Sequence, residues 1–384
     1  MVHSKWLSPI VLMILIVLWP AFALTASESK EEAIDNLFKV NLAVKKNERV
    51  LVFTDDYSSD LTYEARLVAK RGVNFAEIVF VKYFSTGGHG AEPPKGLWEK
   101  AFGKNIVQEI EKKKLLDKIL KKKSTPEELD IVRGIVRDNK KEVVNAVIGL
   151  AWYSTTHTNF RKLLTDSAGA RYASMPLFNS RMWKTGMTSN WGELAQRTLS
   201  LKEKLSGAIS CHVRTPNGTD MSFDLRERDF RADTGLLVNP GDCGNLPAGE
   251  LYISPMEGNS KGRMVIEPGV NPSLKGQVVF EVTDGKVTNI TGERGFISWL
   301  ESTFQKHPLT RNIAEFGIGT NEKAKAEFEK ILGTIHVAIG DNSTIGGKTS
   351  VPLHMDFVFE NPTIDVQFAD GRTLQIMKDG KLFW

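Results

Sequence analysis

Cysteine is nearly absent: the 384 residues hold two, Cys211 and Cys243, and no CxxC pair. That excludes a thiolate zinc site and a disulfide-rich scaffold. Either one Cys211–Cys243 bridge in an oxidising compartment or two unpaired core thiols fits what is left. Tyrosine is scarce as well, six residues in all, with none beyond Tyr252. A strong charge of one sign is also missing, since 50 Lys+Arg against 46 Asp+Glu leave +4 at pH 7. So mild a balance argues against nucleic-acid binding, which shows a clustered basic face. No GxGxxG follows the first strand-like run, so a dinucleotide site has no support there. Beyond residue 24 no apolar run is long enough to span a membrane.

What is present begins with a short basic start and an apolar run over residues 6–24, closed by small residues around Ala21 and Ala23. Residues 1–24 are expected to be a secretory signal peptide, with an uncleaved N-terminal anchor as the rival reading. Either one puts the rest of the chain outside the cytoplasm, periplasmic or secreted, with membrane contact only through that segment. The remainder, with 41% hydrophobic and 25% charged residues overall, has the composition and length for two ordinary cores.

Residues 49–53 read as a buried strand, 61–69 as a helix closed by Gly72, and 75–84 as a second strand. That order implies a parallel α/β unit. Residues 101–142 are charged and helical, with lysine runs at 112–114 and 121–123 that read as a solvated face. Thr125-Pro126-Glu127-Glu128 forms a capping box with proline at the first helical position. A strand over 143–150 leads into Tyr153-Ser154-Thr155-Thr156-His157-Thr158. Its hydroxyls are expected to cap the next helix, the alternative being that this strand-end loop approaches a ligand. After about residue 180 the pattern changes. A helix over 189–205 precedes β-rich sequence with a hairpin signal at Asn217-Gly218. The expected fold class is therefore α/β: an N-terminal parallel α/β domain, residues 30–183, followed by a largely antiparallel α+β domain, residues 184–384.

Chemistry concentrates between Arg311 and Asp356. His354-Met355-Asp356 has period-two spacing on a strand, so an imidazole and a carboxylate share one face, which suits a divalent cation and equally a histidine hydrogen-bonded to the aspartate. His336 opens an apolar strand. Glu315 is a carboxylate in an apolar, glycine-flanked run, and burial demands a cation or an arginine beside it, Arg311 being the ordinary partner. Glu250 precedes a strand and reads otherwise as an exposed edge carboxylate. Together the three carboxylates and two histidines suffice for two metal ions with one carboxylate bridging, a pair able to lower the pKa of a shared water.

These motifs resemble the metalloaminopeptidases of the aminopeptidase T type, family M29. The matching segments are NLPAGELYISPMEG (245–258), NIAEFGIGTN (312–321), GTIHVAIGDNSTIGG (333–347) and VPLHMD (351–356), with YSTTHTNFRK and GARYASMP in the N-terminal unit. The resemblance implies a two-domain homodimer that removes N-terminal residues from peptide substrates. It makes residues 184–384 the catalytic domain and Glu250, Glu315, His336, His354 and Asp356 the ligands of two divalent metal ions, zinc, cobalt or manganese. No residue is assigned as catalytic beyond these ligands. The family's tyrosine shortly after the strand histidine has no counterpart, leaving Lys348 or Asn342 to take its place, and the family is mostly cytoplasmic. Three readings follow: a metal-dependent aminopeptidase-like hydrolase, a binding protein that kept the metal cage without catalysis, and a mononuclear iron oxygenase built on two histidines and one carboxylate.

Overall fold

A computed structural model describes residues 29–383. The signal-or-anchor expectation for residues 1–24 lies outside the described residues. Among the described residues no helix is long and apolar enough to cross a membrane.

Near-continuous apolar strands form a five-stranded parallel sheet in the order Glu77–Tyr83, Arg49–Asp55, Ala146–Gly149, Arg171–Ser174, Cys243–Asn245. Such strands bury both faces, and separate apolar clusters lie on the two sides. Val50, Val52 and Ile148 belong to one, Leu51, Phe53 and Val147 to the other. The fifth strand comes from the C-terminal half, so the chain returns to this layer after residue 184. The helix Pro126–Asp138 starts on the expected capping box, Thr125 and Glu128 satisfying each other's backbone N–H. Gly72 differs from expectation. It is the last residue of the helix Ser59–Gly72, without a left-handed φ, and a Cβ there would stand 2.6 Å from Phe38 Cζ. Close packing, not helix termination, requires the glycine.

The second half is antiparallel, as its alternating patterns imply. An eight-stranded sheet runs from Lys286–Gly292 to Lys381–Leu382 and contains the hairpin Ala208–Arg214 and Asp220–Asp224 around Asn217-Gly218. A five-stranded sheet has the order His354–Glu360, Thr334–Gly340, Ile313–Gly319, Glu250–Ile253, Arg231–Asp233. The two sheets share one apolar core, to which the five-stranded sheet contributes Leu251, Phe316, Ile335, Val337, Phe357 and Phe359. Because side chains alternate with period two, the residues between these point to the opposite face. Those residues include Glu250, Glu315, His336, His354 and Asp356. Packing of the apolar half of the alternation thus orients the polar half.

Both thiols are free, Cys211 buried in the eight-stranded sheet and Cys243 half-buried in the parallel one.

Candidate metal centre

Strand register assembles the five residues. Glu250 lies opposite Gly319, Gly317 opposite His336, Glu315 opposite Ala338, Ala338 opposite Asp356, and Gly340 opposite His354. Three of the five thus lie opposite a glycine. A Cβ on Gly317 would stand 2.0 Å from His336 Cε1, so the imidazole lies directly over that backbone.

The side chains form an alternating line. Lys330 Nζ is ion-paired with Glu250 Oε1, and Glu250 Oε2 lies 3.6 Å from His336 Nε2. His336 Nε2 is 3.3 Å from Glu315 Oε1, and Glu315 Oε2 is 3.2 Å from His354 Nε2. His354 Nε2 in turn lies 3.6 Å from Asp356 Oδ1. Burial changes along the line: the side chain of Lys330 is 3% exposed, that of Glu315 8%, and that of Asp356 29%. The Asp356 end is therefore the one open to solvent. There Glu315, His354 and Asp356 present ligand atoms within 4.8 Å of one another.

The electrostatics call for a cation at that end. Burial lowers the pKa of His354, but Asp356 and Glu315 carry it well above the ordinary range. Burial likewise works against His336, which Glu315, Glu250 and Asp356 nevertheless raise to about 9. Burial raises Glu315, and hydrogen bonds with His336 and His354 more than reverse this. Without another positive charge the carboxylates hold protons on both imidazoles, and one divalent ion supplies the same charge to neutral ones. The His354 Nδ1–H donates to the carbonyl oxygen of Asp341 at 2.7 Å. That bond leaves Nε2 to face the two carboxylates, the arrangement by which a backbone carbonyl orients a metal-binding histidine. His336 Nδ1 and Glu250 Oε2 are buried without a hydrogen-bond partner. A donor set of imidazoles and carboxylates fits ferrous iron, manganese or zinc.

Two sequence expectations are corrected here. Glu250 is buried in the deep end of the line, not an exposed edge carboxylate. Arg311 does not serve Glu315. It pairs with Glu301 at 2.7 Å and stacks on Phe304, both on the preceding helix Arg294–Lys306.

The loop over residues 341–353 holds the open end in shape. Asn342, fully buried, donates to Ser254 Oγ at 2.9 Å and to Glu257 Oε1 at 3.0 Å, and accepts from the Thr349 N–H at 2.8 Å. Arg231 donates to the Thr344 carbonyl at 3.0 Å. Asn342 is thus a brace, and Lys348 is exposed. Asn342→Ala would strand buried partners and loosen the loop that carries the Asp341 carbonyl. We expect a loss of about 1–3 kcal/mol in stability and roughly 10–100-fold weaker metal binding, read by thermal denaturation and metal titration.

The N-terminal unit also reaches the site. The loop after Ala146–Gly149 places the His157 ring 5.9 Å from that of His354, with His157 Nδ1 2.8 Å from Thr344 Oγ1. Burial, aided by His354, lowers the pKa of His157 to about 4, so the ring is uncharged at neutral pH. Ser154 and Thr156 do not cap the next helix. Thr158 does, accepting from the Arg161 N–H at 3.1 Å. His157, Lys330 and Asp233 were not singled out from the sequence. Lys330 carried no sequence signal, because Glu250 read as exposed and cations such as Lys261 stood nearer along the chain.

The sequence profile of a family described as NicX, 2,5-dihydroxypyridine 5,6-dioxygenase, matches residues 187–383, about half of the chain and all five residues above. The chain belongs to the NicX family. Among curated proteins it is similar to the 2,5-dihydroxypyridine 5,6-dioxygenase of Pseudomonas putida, 24% identical over 206 residues. That match spans 48% of this chain and 57% of the relative's own length. Among solved structures it resembles a 2,5-dihydroxypyridine dioxygenase from Pseudomonas putida KT2440. The TM-score is 0.62 at 18% identity over 93% of this chain and 98% of the other. It also resembles wild-type AmpT from Thermus thermophilus, with TM-score 0.59 at 12% identity over 92% and 99%. At such identities these likenesses establish the shared fold alone.

The metalloaminopeptidase expectation falls here, and hydrolase and protease with it. The NicX family and the curated relative carry the name of an oxidoreductase. What stands of the resemblance to aminopeptidase T is the fold.

Proposed function

We propose that this NicX-family chain is a mononuclear iron dioxygenase that opens a dihydroxylated, nitrogen-containing aromatic ring of the 2,5-dihydroxypyridine type. The observation that carries the reading is the cluster of Glu315, His354 and Asp356 at the open end of the line, within the segment that matches the family. These three residues would hold the ion, with His336 Nε2 next to Glu315 as a further imidazole donor. When bound, ferrous iron would supply the one-electron chemistry that lets dioxygen react with a closed-shell ring.

The chain's own residues do the rest. Asp341, through its carbonyl, keeps His354 in the tautomer that leaves Nε2 free. The uncharged His157 can accept or donate one hydrogen bond toward a ring hydroxyl, depending on how the Thr344 hydroxyl turns. Burial of the deep end keeps water from Glu250 and His336, so polar contacts there act at low dielectric.

The test is oxygen uptake by protein reconstituted anaerobically with ferrous iron and given 2,5-dihydroxypyridine. The expected result is one dioxygen consumed per ring, both labelled oxygen atoms in the ring-opened product, and loss of uptake on chelation. No uptake across a panel of dihydroxypyridines and benzenediols by iron-loaded protein would sink the reading.

A further inference from the structure

We propose that Lys330 is a built-in cation occupying the charge position of a second metal ion, and that it limits this centre to one ion. The inference rests on the metal-centre reading above and deepens it. By count alone, three carboxylates and two imidazoles could hold two ions. The structure puts an ammonium at one end of that set instead.

Lys330 Nζ is ion-paired with Glu250 Oε1, lies 3.2 Å from Glu329 Oε1 and 4.0 Å from Asp233 Oδ2. Its side chain is almost wholly buried, so these contacts are made away from water. The position is built, not adventitious. The Lys330 carbonyl accepts from the Asn321 N–H at 2.9 Å, and the Lys330 N–H donates to the Glu327 carbonyl at 2.8 Å. Asn321, itself fully buried, is tied to the Ala248 carbonyl at 2.8 Å, two residues from Glu250. The backbone bearing the ammonium and the strand bearing its carboxylate are therefore locked to one another.

A second divalent ion near Glu250 would have to share a carboxylate with this fixed positive charge in a buried setting, where repulsion is little screened. With Oε1 on Lys330, Glu250 has only Oε2, 3.6 Å from His336 Nε2, to offer that ion. Among the described residues, Glu315, His354 and Asp356 at the far end have no lysine or arginine as an ion-pair partner. The asymmetry predicts one ion, at the open end.

The experiment is metal stoichiometry by elemental analysis, after equilibration with manganese or zinc and removal of excess, on the full chain and three variants. The unmodified chain should hold about one ion. Lys330→Met, which removes the charge at similar volume, should hold about two, with a thermal midpoint that rises on addition of the second equivalent. Glu250→Gln should hold one, because that carboxylate is not needed at the open end. The double variant Lys330→Met with Glu250→Leu removes the pair together, keeps the interior neutral and should also hold one. Two ions on the unmodified chain, one on folded Lys330→Met, or loss of the single ion in Glu250→Gln would each overturn the inference. If Lys330→Met does not fold even with metal, the Glu250→Gln and double variants decide, and two ions on the double variant overturns it too. Stoichiometry is read without turnover. An inactive chain with one ion, and two in Lys330→Met, would defeat the ring-opening reading and leave this one intact.

Discussion

Gly317→Ala is expected to strip the metal centre while leaving most of the fold in place. The added methyl would fall 2.0 Å from His336 Cε1 and 2.2 Å from its Nε2, the nitrogen that faces Glu315 and Glu250. The imidazole must swing away, because the methyl is fixed to a central strand and the ring is the only movable party. Overpacking of this kind costs about 1–3 kcal/mol, which a domain of ordinary stability survives. Removing the ring from its station should weaken metal binding by roughly 10–100-fold. Gly134→Ala is the control: it lies inside the helix Pro126–Asp138 with nothing within 4 Å of the new methyl. It should be neutral or stabilising by up to about 1 kcal/mol. Metal content and melting temperature of the two variants, measured together, check this. A Gly317→Ala protein with unchanged metal affinity would mean that His336 stands outside the centre.

Asp356→Ala should abolish metal retention and oxygen uptake with little change in melting temperature. Its side chain is partly exposed and lies at the open end of the line, so a solvated alanine leaves no buried cavity. Its removal takes away one of the three donors that lie within 4.8 Å of one another. The loss should exceed the roughly 10–100-fold attached to an outer partner, since a donor, not its support, is lost. Asp356→Ala protein that still retains iron through desalting would contradict this placement. The contrast with Glu250→Gln is informative, because the two carboxylates sit at opposite ends of the line and only one is committed to a lysine.

Local physics made much of the fold legible. Thr125-Pro126-Glu127-Glu128 starts its helix where it should, because proline and the reciprocal cap act within one turn. Asn217-Gly218 turns its hairpin, since Gly218 takes a left-handed φ of 97°. The apolar alternation in His336-Val337-Ala338-Ile339 and His354-Met355-Asp356-Phe357 puts histidine and aspartate on one face, because packing of the apolar half leaves no choice. Ser154, Thr156 and Gly72 were misread. Thr156 bonds Ser174 at 2.8 Å, Gly72 packs against Phe38, and Ser154 turns its hydroxyl to Thr156 two residues on.

By itself the sequence determined the class of fold and that His354 and Asp356 share one face of a strand, while it set Glu250 ahead of its strand and read it as exposed. Periodicity and capping are short-range, and a reader of residues can apply them. Only the tertiary structure decided which of the five converge, that Glu250 is committed to Lys330 eighty residues later, and that His157 arrives from the parallel sheet. Those facts depend on register between distant strands and on where a buried charge finds its counter-ion.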